Sequence, residues 1–446
     1  MYIHHTPIEG LLVVQLDVHG DNRGWFKENW QRAAMIEAGL PDFQPIQNNI
    51  SFNAEKGVTR GLHAEPWDKL VSVATGQVHG GWCDLREGSP TFGQTYDISI
   101  STAKAVFVPR GVANGFQALE DSTTYSYLVN DHWSPDAHYE NVSLDLIDWP
   151  LTPTEISAKD RQHPPLSEVT PVAARTILVT GADGQLGRAL RKILPNAEFC
   201  TREQFDITNP PARPWRQYSA IINAAAYTGV DAAEHDRAQA WAVNAHGPAQ
   251  LATIAAEHNL TLVQVSTDYV FDGTADSAYS ENAPICPLGA YGASKAAGEL
   301  AAATAPKHYL VRTSWVVGQG KNFVDTMAGL AAKGITPQVV SDQRGRPTFA
   351  EDLARGIKHL LDSAPDYGVY NITGSGDEVG WDEVAMATFS SLSFDPSNVH
   401  PVSSEQYFGD TAHAPRPSRS TLDLSKIEAS GFSPQNWRVG LALYLS

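Results

Sequence analysis

The chain has 446 residues, 42% hydrophobic and 9% aromatic, which is enough core material for roughly two to four globular domains and excludes a disordered polymer. A formal net charge of −18 excludes sequence-independent nucleic-acid binding, which rests on basic patches, yet a few local arginines can still hold a small anionic ligand. Three scattered cysteines (Cys83, Cys200, Cys286) make no disulfide or zinc pattern, no apolar run reaches about 18 residues, and the first residues do not read as a signal peptide, so a cytoplasmic protein with no membrane partner is expected.

In chain order, residues 1–162 read as short strands broken by turn signals: "GLLVVQLDVHGDNRG", "KLVSVATGQVHGGWCDL", "TYDISIS", "AVFVPRG" and "TTYSYLVND", with helical periodicity only around 30–39. That pattern predicts an all-β antiparallel sandwich. In "KLVSV", Lys69 shares strand parity with Val71 and Val73, so it is expected to point inward, which is costly without an anionic partner. The proline-rich stretch 163–175 reads as a linker. From 176 to 446 the pattern changes. β-Branched runs "TILVT", "AIINAAA", "LVQVST" and "YLVRTSW" alternate with alanine-rich helical stretches, which predicts a parallel α/β sheet covered on both faces.

"TILVTGADGQLGRAL" puts Gly181, Gly184 and Gly187 between a strand and a helix, where the backbone can approach a pyrophosphate. About 20 residues on, "CTREQFDIT" carries Arg202 and Asp206. Arg202 favours a 2′-phosphate and hence NADPH, with NADH as the other dinucleotide such a loop accepts. In "YGASK", Tyr291 and Lys295 share one helix face, and the ammonium is expected to lower the phenol's pKa. Thr267, closing the strand of "QVSTDYVFDG", is placed to hydrogen-bond the same carbonyl oxygen as Tyr291.

"VTGADGQLG", "NAAAYTGVDAAE", "STDYVFDG", "YGASK", "VRTSWVVG" and "SDQRGRPT", in that order, resemble the dTDP-4-dehydrorhamnose reductases, extended short-chain dehydrogenases with a Rossmann domain and a small substrate-binding lobe. The resemblance implies Thr267, Tyr291 and Lys295 as the catalytic set. It implies cofactor contacts at Gly181, Gly184, Gln185, Leu186, Gly187, Arg202, Asp206, Ala224, Ala225, Ala226, Tyr291 and Lys295, and sugar-nucleotide contacts at Tyr227, Trp315, Asn322, Arg346 and Thr348. A Mg²⁺ requirement is left open.

In the first half, "GDNRGWFKENW", "IQNNISFNAEKGVTRGLH", "DLREGSPTFGQ", "VFVPRGVANGF", "IDWP" and "ISAKD" resemble the dTDP-4-dehydrorhamnose 3,5-epimerases, which have a cupin-like jelly roll and pair as homodimers through their sheets. The resemblance implies His63 as base, Asp160 as the carboxylate that orients it, Lys69 at the enolate oxygen and Tyr127 as the acid on the opposite face. Arg23, Glu28, Gln47, Asn49, Arg60 and Asn114 become the dTDP-sugar contacts. Two departures stand out: the chain is short between His63 and Lys69, and Asn114 replaces the family's usual histidine. Without a His-x-His pattern no metal is expected. The sequence thus implies a bifunctional enzyme. The alternatives are a ketoreductase with an inactive cupin module for binding or dimerisation, and a non-catalytic NADP-binding regulatory subunit.

Overall fold

The computed structural model describes residues 1–446 apart from Asp136 and Asp410. The chain divides into two compact units, Met1–Ala174 and Arg175–Ser446.

The first unit is a jelly roll of two antiparallel sheets. One sheet runs Tyr2–His5, Leu12–Gln15, Lys104–Val108, Lys69–Thr75, Thr123–Val129, Gln47–Asn53; the other runs Glu140–Asn141, Thr59–Ala64, Val112–Ala118, Val78–Asp84, Thr95–Ile100. Alternate residues of both sheets meet in the core, including Val71, Val73, Trp82, Val106, Phe116 and Tyr125. The period-2 pattern also puts Lys69 inside, only 6% exposed. The expected helix near 30–39 appears as Arg32–Glu37, whose Met35 closes a smaller cluster with Leu40 and Phe43.

The segment 163–175 does not behave as the linker its prolines suggest. Val169 and Val172 are buried with Leu62, Cys83 and Leu85, and the Val172 N–H donates to the Leu85 carbonyl at 2.7 Å. Three prolines end regular structure without preventing apolar residues between them from packing.

The second unit is built on a six-stranded parallel sheet, Glu198–Cys200, Thr176–Thr180, Tyr218–Asn223, Thr261–Thr267, His308–Thr313, Gly368–Asn371. Helices Gln185–Ile193 and Ala350–Ser363 cover one face, through Leu186, Leu190, Leu353 and Ile357. Gly247–Glu257 and Ala290–Ala302 cover the other, through Leu251, Ala255 and Ala302. The first strand lies between the second and third, so strand order reverses there and opens a crevice at the carboxyl ends. A smaller lobe packs helices Phe323–Ala332, Trp381–Ser391 and Trp437–Leu445 around Val324, Phe389 and Trp437.

Candidate active sites

The jelly roll holds a cavity of about 180 Å³ lined by Arg60, His63, Glu65, Lys69, Asn114 and Tyr127 among others. His63 reaches it from the strand Thr59–Ala64, and its Nε2 lies 3.0 Å from Asp160 Oδ1. A carboxylate only accepts, so Nε2 carries the proton and Nδ1 is left as the basic atom of the ring. Asp160 Oδ2 accepts the Gly61 N–H at 3.1 Å. Burial by itself would raise this carboxyl, but the bonds from His63 and Gly61 outweigh it and hold it at about 2. The His163 ring stands edge-on to His63 at 5.3 Å, and one nitrogen of each ring and one Asp160 carboxylate oxygen lie within 4.8 Å of one another.

Lys69 Nζ donates to Asn114 Oδ1 at 2.7 Å and pairs with Glu65; burial pushes its ammonium down to about 7. It sits 5.5 Å from the Tyr127 ring centre, and burial also raises the Tyr127 hydroxyl. A base, a cation and a phenol thus face one small space. Arg60 lines it too, with Nε donating to Asn53 Oδ1 at 3.2 Å.

Arg23, Glu28, Gln47 and Asn49 lie outside that cavity. Arg23 is bound to Asp21 on the exposed hairpin Val18–Asp21/Gly24–Lys27, where Glu28 follows; Gln47 donates to Asn49 Oδ1 at 2.8 Å on the edge strand. Glu65 is not among the site residues expected from the sequence, although "HAE" sets it two positions from His63; its role depends on where the following turn ends.

In the second unit a cleft of about 810 Å³ occupies the crevice at the carboxyl ends of the strands. Gly181, Gly184, Gln185, Leu186, Arg202, Asp206, Ala224, Ala225, Ala226, Tyr291 and Lys295 all line it; Gly187 does not. Gly187 serves the loop differently, because a Cβ there would run into the Gly181 carbonyl, so it lets helix and loop pack closely. Gly181 has φ +73°, and a Cβ on it would meet the Ala225 nitrogen at 2.6 Å. This backbone cradle at a helix N-terminus, with Arg202 at its rim, fits a phosphorylated dinucleotide.

Thr267, Tyr291 and Lys295 meet in the same cleft. Burial raises the Tyr291 phenol to about 12, against the lowering effect of its Thr267 hydrogen bond. This corrects the expectation that Lys295 lowers it: the buried ammonium donates to the Val265 carbonyl at 2.7 Å, and burial brings it down to about 8. Thr267 Oγ1 in turn donates to buried Asp268 at 3.0 Å. Four residues beyond Lys295, Glu299 forms a buried bidentate pair with Arg312.

Tyr227 and Trp315 line the cleft, and Trp315 stacks on Trp381 at 3.8 Å. Asn322, Arg346 and Thr348 do not line it. Asn322 caps the helix Phe323–Ala332, accepting the Asp325 N–H and donating to the Gly318 carbonyl; Arg346 Nη1 donates to the Leu422 carbonyl at 3.2 Å; Thr348 is fully buried.

Residues 5–168 match the family model for dTDP-4-dehydrorhamnose 3,5-epimerase, and residues 175–446 match the RmlD substrate binding domain. An RmlC homolog of Streptococcus pyogenes is 48% identical over 182 residues, 38% of this chain and 91% of its own. A dTDP-4-dehydrorhamnose reductase of Aggregatibacter actinomycetemcomitans is 39% identical over 288 residues, 59% of this chain and 96% of its own. The solved dTDP-4-dehydrorhamnose reductase of Bacillus anthracis, in complex with NADP, aligns with a TM-score of 0.56 at 34% identity, over 61% of this chain and 99% of that one. A dyad-bearing jelly roll and a Thr/Tyr/Lys cleft thus stand in one chain, which belongs to the dTDP-4-dehydrorhamnose 3,5-epimerase family through residues 5–168 and to the RmlD family through residues 175–446.

Proposed function

We propose that the chain catalyses two successive steps toward dTDP-L-rhamnose: 3,5-epimerisation of dTDP-4-dehydro-6-deoxy-D-glucose, then NADPH-dependent reduction of the C4 ketone. The observation that carries this reading is the presence in one chain of both the His63–Asp160 dyad facing Lys69 and the Thr267, Tyr291 and Lys295 cleft.

In the first unit, His63 Nδ1 removes a proton from the carbon beside the ketone. The electron pair moves onto the ketone oxygen, where the Lys69 ammonium opposes the enolate charge. Tyr127 returns a proton to the opposite face, and the sequence repeats at the second carbon. In the second unit, NADPH would supply the hydride for C4 when bound. Tyr291 gives its proton to the carbonyl oxygen, and the Thr267 hydroxyl turns from Asp268 to donate to the same oxygen. The glycine loop and Arg202 hold the dinucleotide phosphates, and Tyr227 and Trp315 contact the sugar nucleotide.

Ile50 and Phe52 on the edge strand are 68% and 60% exposed, and Trp25 and Phe26 on the hairpin are exposed as well. These support a homodimer through the first unit's sheets, read by light scattering. No helix among the described residues is long and apolar enough to cross a membrane.

The test compares wild type with His63→Ala, giving dTDP-4-dehydro-6-deoxyglucose as the sole sugar and following NADPH loss, with the product identified by NMR. The expected result is a rhamnosyl nucleotide from wild type and none from the variant. Oxidation that survives the substitution and leaves C3 and C5 uninverted makes the first unit an inactive module. No NADPH turnover by either protein makes the second a non-catalytic dinucleotide binder.

A further inference from the structure

The connection from Glu65 to Asp68 carries the chain between sheets, from the strand Thr59–Ala64 to the strand Lys69–Thr75. So short a crossing brings its ends together, and the side chains of Glu65 and Lys69, 18% and 7% exposed, form an ion pair in the wall of the cavity. The ammonium's hydrogen-bond partner is neutral Asn114. On the remaining walls stand Arg60 and His63 from one sheet and Tyr125 and Tyr127 from the other. None of these brings negative charge at neutral pH. Asp160 lies behind the His63 ring and is bound to it and to Gly61. Among the described residues lining the cavity, Glu65 is thus the one anion.

A lysine can stabilise an enolate only while protonated, and burial works against the proton. An ammonium has three donors. The ion pair with Glu65 and the hydrogen bond to Asn114 engage it on two sides, which leaves one N–H free to meet a substrate oxygen.

We propose that Glu65 is a positioning residue of the epimerisation: its carboxylate keeps Lys69 in the ammonium form at neutral pH and, with Asn114, aims the third donor at the enolate oxygen. This rests on the reading of the first unit as an epimerase. It also gives the short His63–Lys69 spacing a function, since a longer crossing would not hold the two ends face to face.

The test measures deuterium wash-in at C3 and C5 of dTDP-4-dehydro-6-deoxyglucose, without NADPH, across pH, for the full-length wild type, Glu65→Gln and Glu65→Asp. Glu65→Gln is expected to stay within about threefold of wild type near pH 6 and to lose up to about tenfold near pH 8, its basic limb moving acidward by about one unit, while Glu65→Asp keeps the wild-type limb. An unchanged profile, or a loss equal at every pH, overturns the proposal. Absence of wash-in by wild type overturns the epimerase reading and this proposal together. A second readout needs no variant at position 65: the ε-carbon NMR signal of Lys69, assigned by its loss in Lys69→Met, is expected to titrate in wild type above about pH 7, the value to which burial alone brings the ammonium. Titration at or below about pH 7 refutes the role of Glu65 whatever the substitutions do.

Discussion

Asp160 accepts from His63 and from the Gly61 N–H, so its carboxylate stays charged throughout the neutral range and holds one tautomer of the imidazole. Asp160→Asn is expected to slow exchange at C3 and C5 by about 10²-fold or more, read by NMR in deuterated buffer. The same carboxyl links stability to acid. Its pKa is depressed on folding from 3.8 to about 2, so the stability it contributes is present above pH 3.8 and is lost as pH falls toward 2. Urea unfolding of wild type against Asp160→Asn should show a gap on the order of 1 kcal/mol, after allowing for partial solvent screening, that closes across this window. In the cleft, burial keeps Tyr291 protonated and therefore able to act as an acid, and it brings Lys295 to about 8. The rate of NADPH oxidation should decline as pH rises through about 8, and Lys295→Met should abolish that limb along with most of the activity. His63, Lys69, Tyr291 and Lys295 were legible because strand parity and helix spacing are local. Glu65 and Asp268 were not, since their partners are set by where a turn ends and by a serine at position 420. Asn322 was misleading for a related reason: a motif asparagine can cap a helix as readily as touch a ligand.

The helix Ala290–Ala302 carries the catalytic pair on one face, and close approach of its backbone to its neighbours fixes where that face lies. A Cβ at Gly292 would run into the Tyr269 carbonyl, and one at Gly298 into the Asn244 carbonyl. Both obstacles are backbone and give way little. Gly298→Ala is expected to cost about 1–3 kcal/mol in urea unfolding and to reduce NADPH oxidation through a displaced Tyr291. The buried Glu299–Arg312 pair ties the same helix to the neighbouring strand His308–Thr313. Glu299→Gln leaves Arg312 without a counter-charge, and a loss of about 3–5 kcal/mol is expected by the same measurement. At this scale the alternation of β-branched runs with alanine-rich helices was enough to read a parallel sheet. The two-residue strands of the smaller lobe, such as Val316–Val317 and Arg344–Gly345, were out of reach, because two residues show no period.

For the whole molecule, two active sites in one chain allow a complementation experiment. A mixture of His63→Ala and Tyr291→Phe proteins should make the rhamnosyl nucleotide from the 4-keto substrate, because each retains the half-reaction the other lacks. If fusion limits escape of the epimerised ketone, the mixture should accumulate more of it than wild type at equal site concentration. Equal accumulation means the intermediate equilibrates with bulk solvent before reduction. The change of pattern from alternating strands to strand–helix pairs marks two folds without any motif, but prolines disguise the seam between them. That seam has a practical consequence. Contacts of the jelly roll extend through Val172, and the first strand of the reductase sheet begins at Thr176, so little extended backbone lies between them for a protease to grip. Digestion should therefore nick surface loops before it parts the two enzymes, and a gene cut after codon 162 would strip Val169 and Val172 from the jelly roll, yielding an aggregating fragment where a cut after codon 174 yields a soluble one.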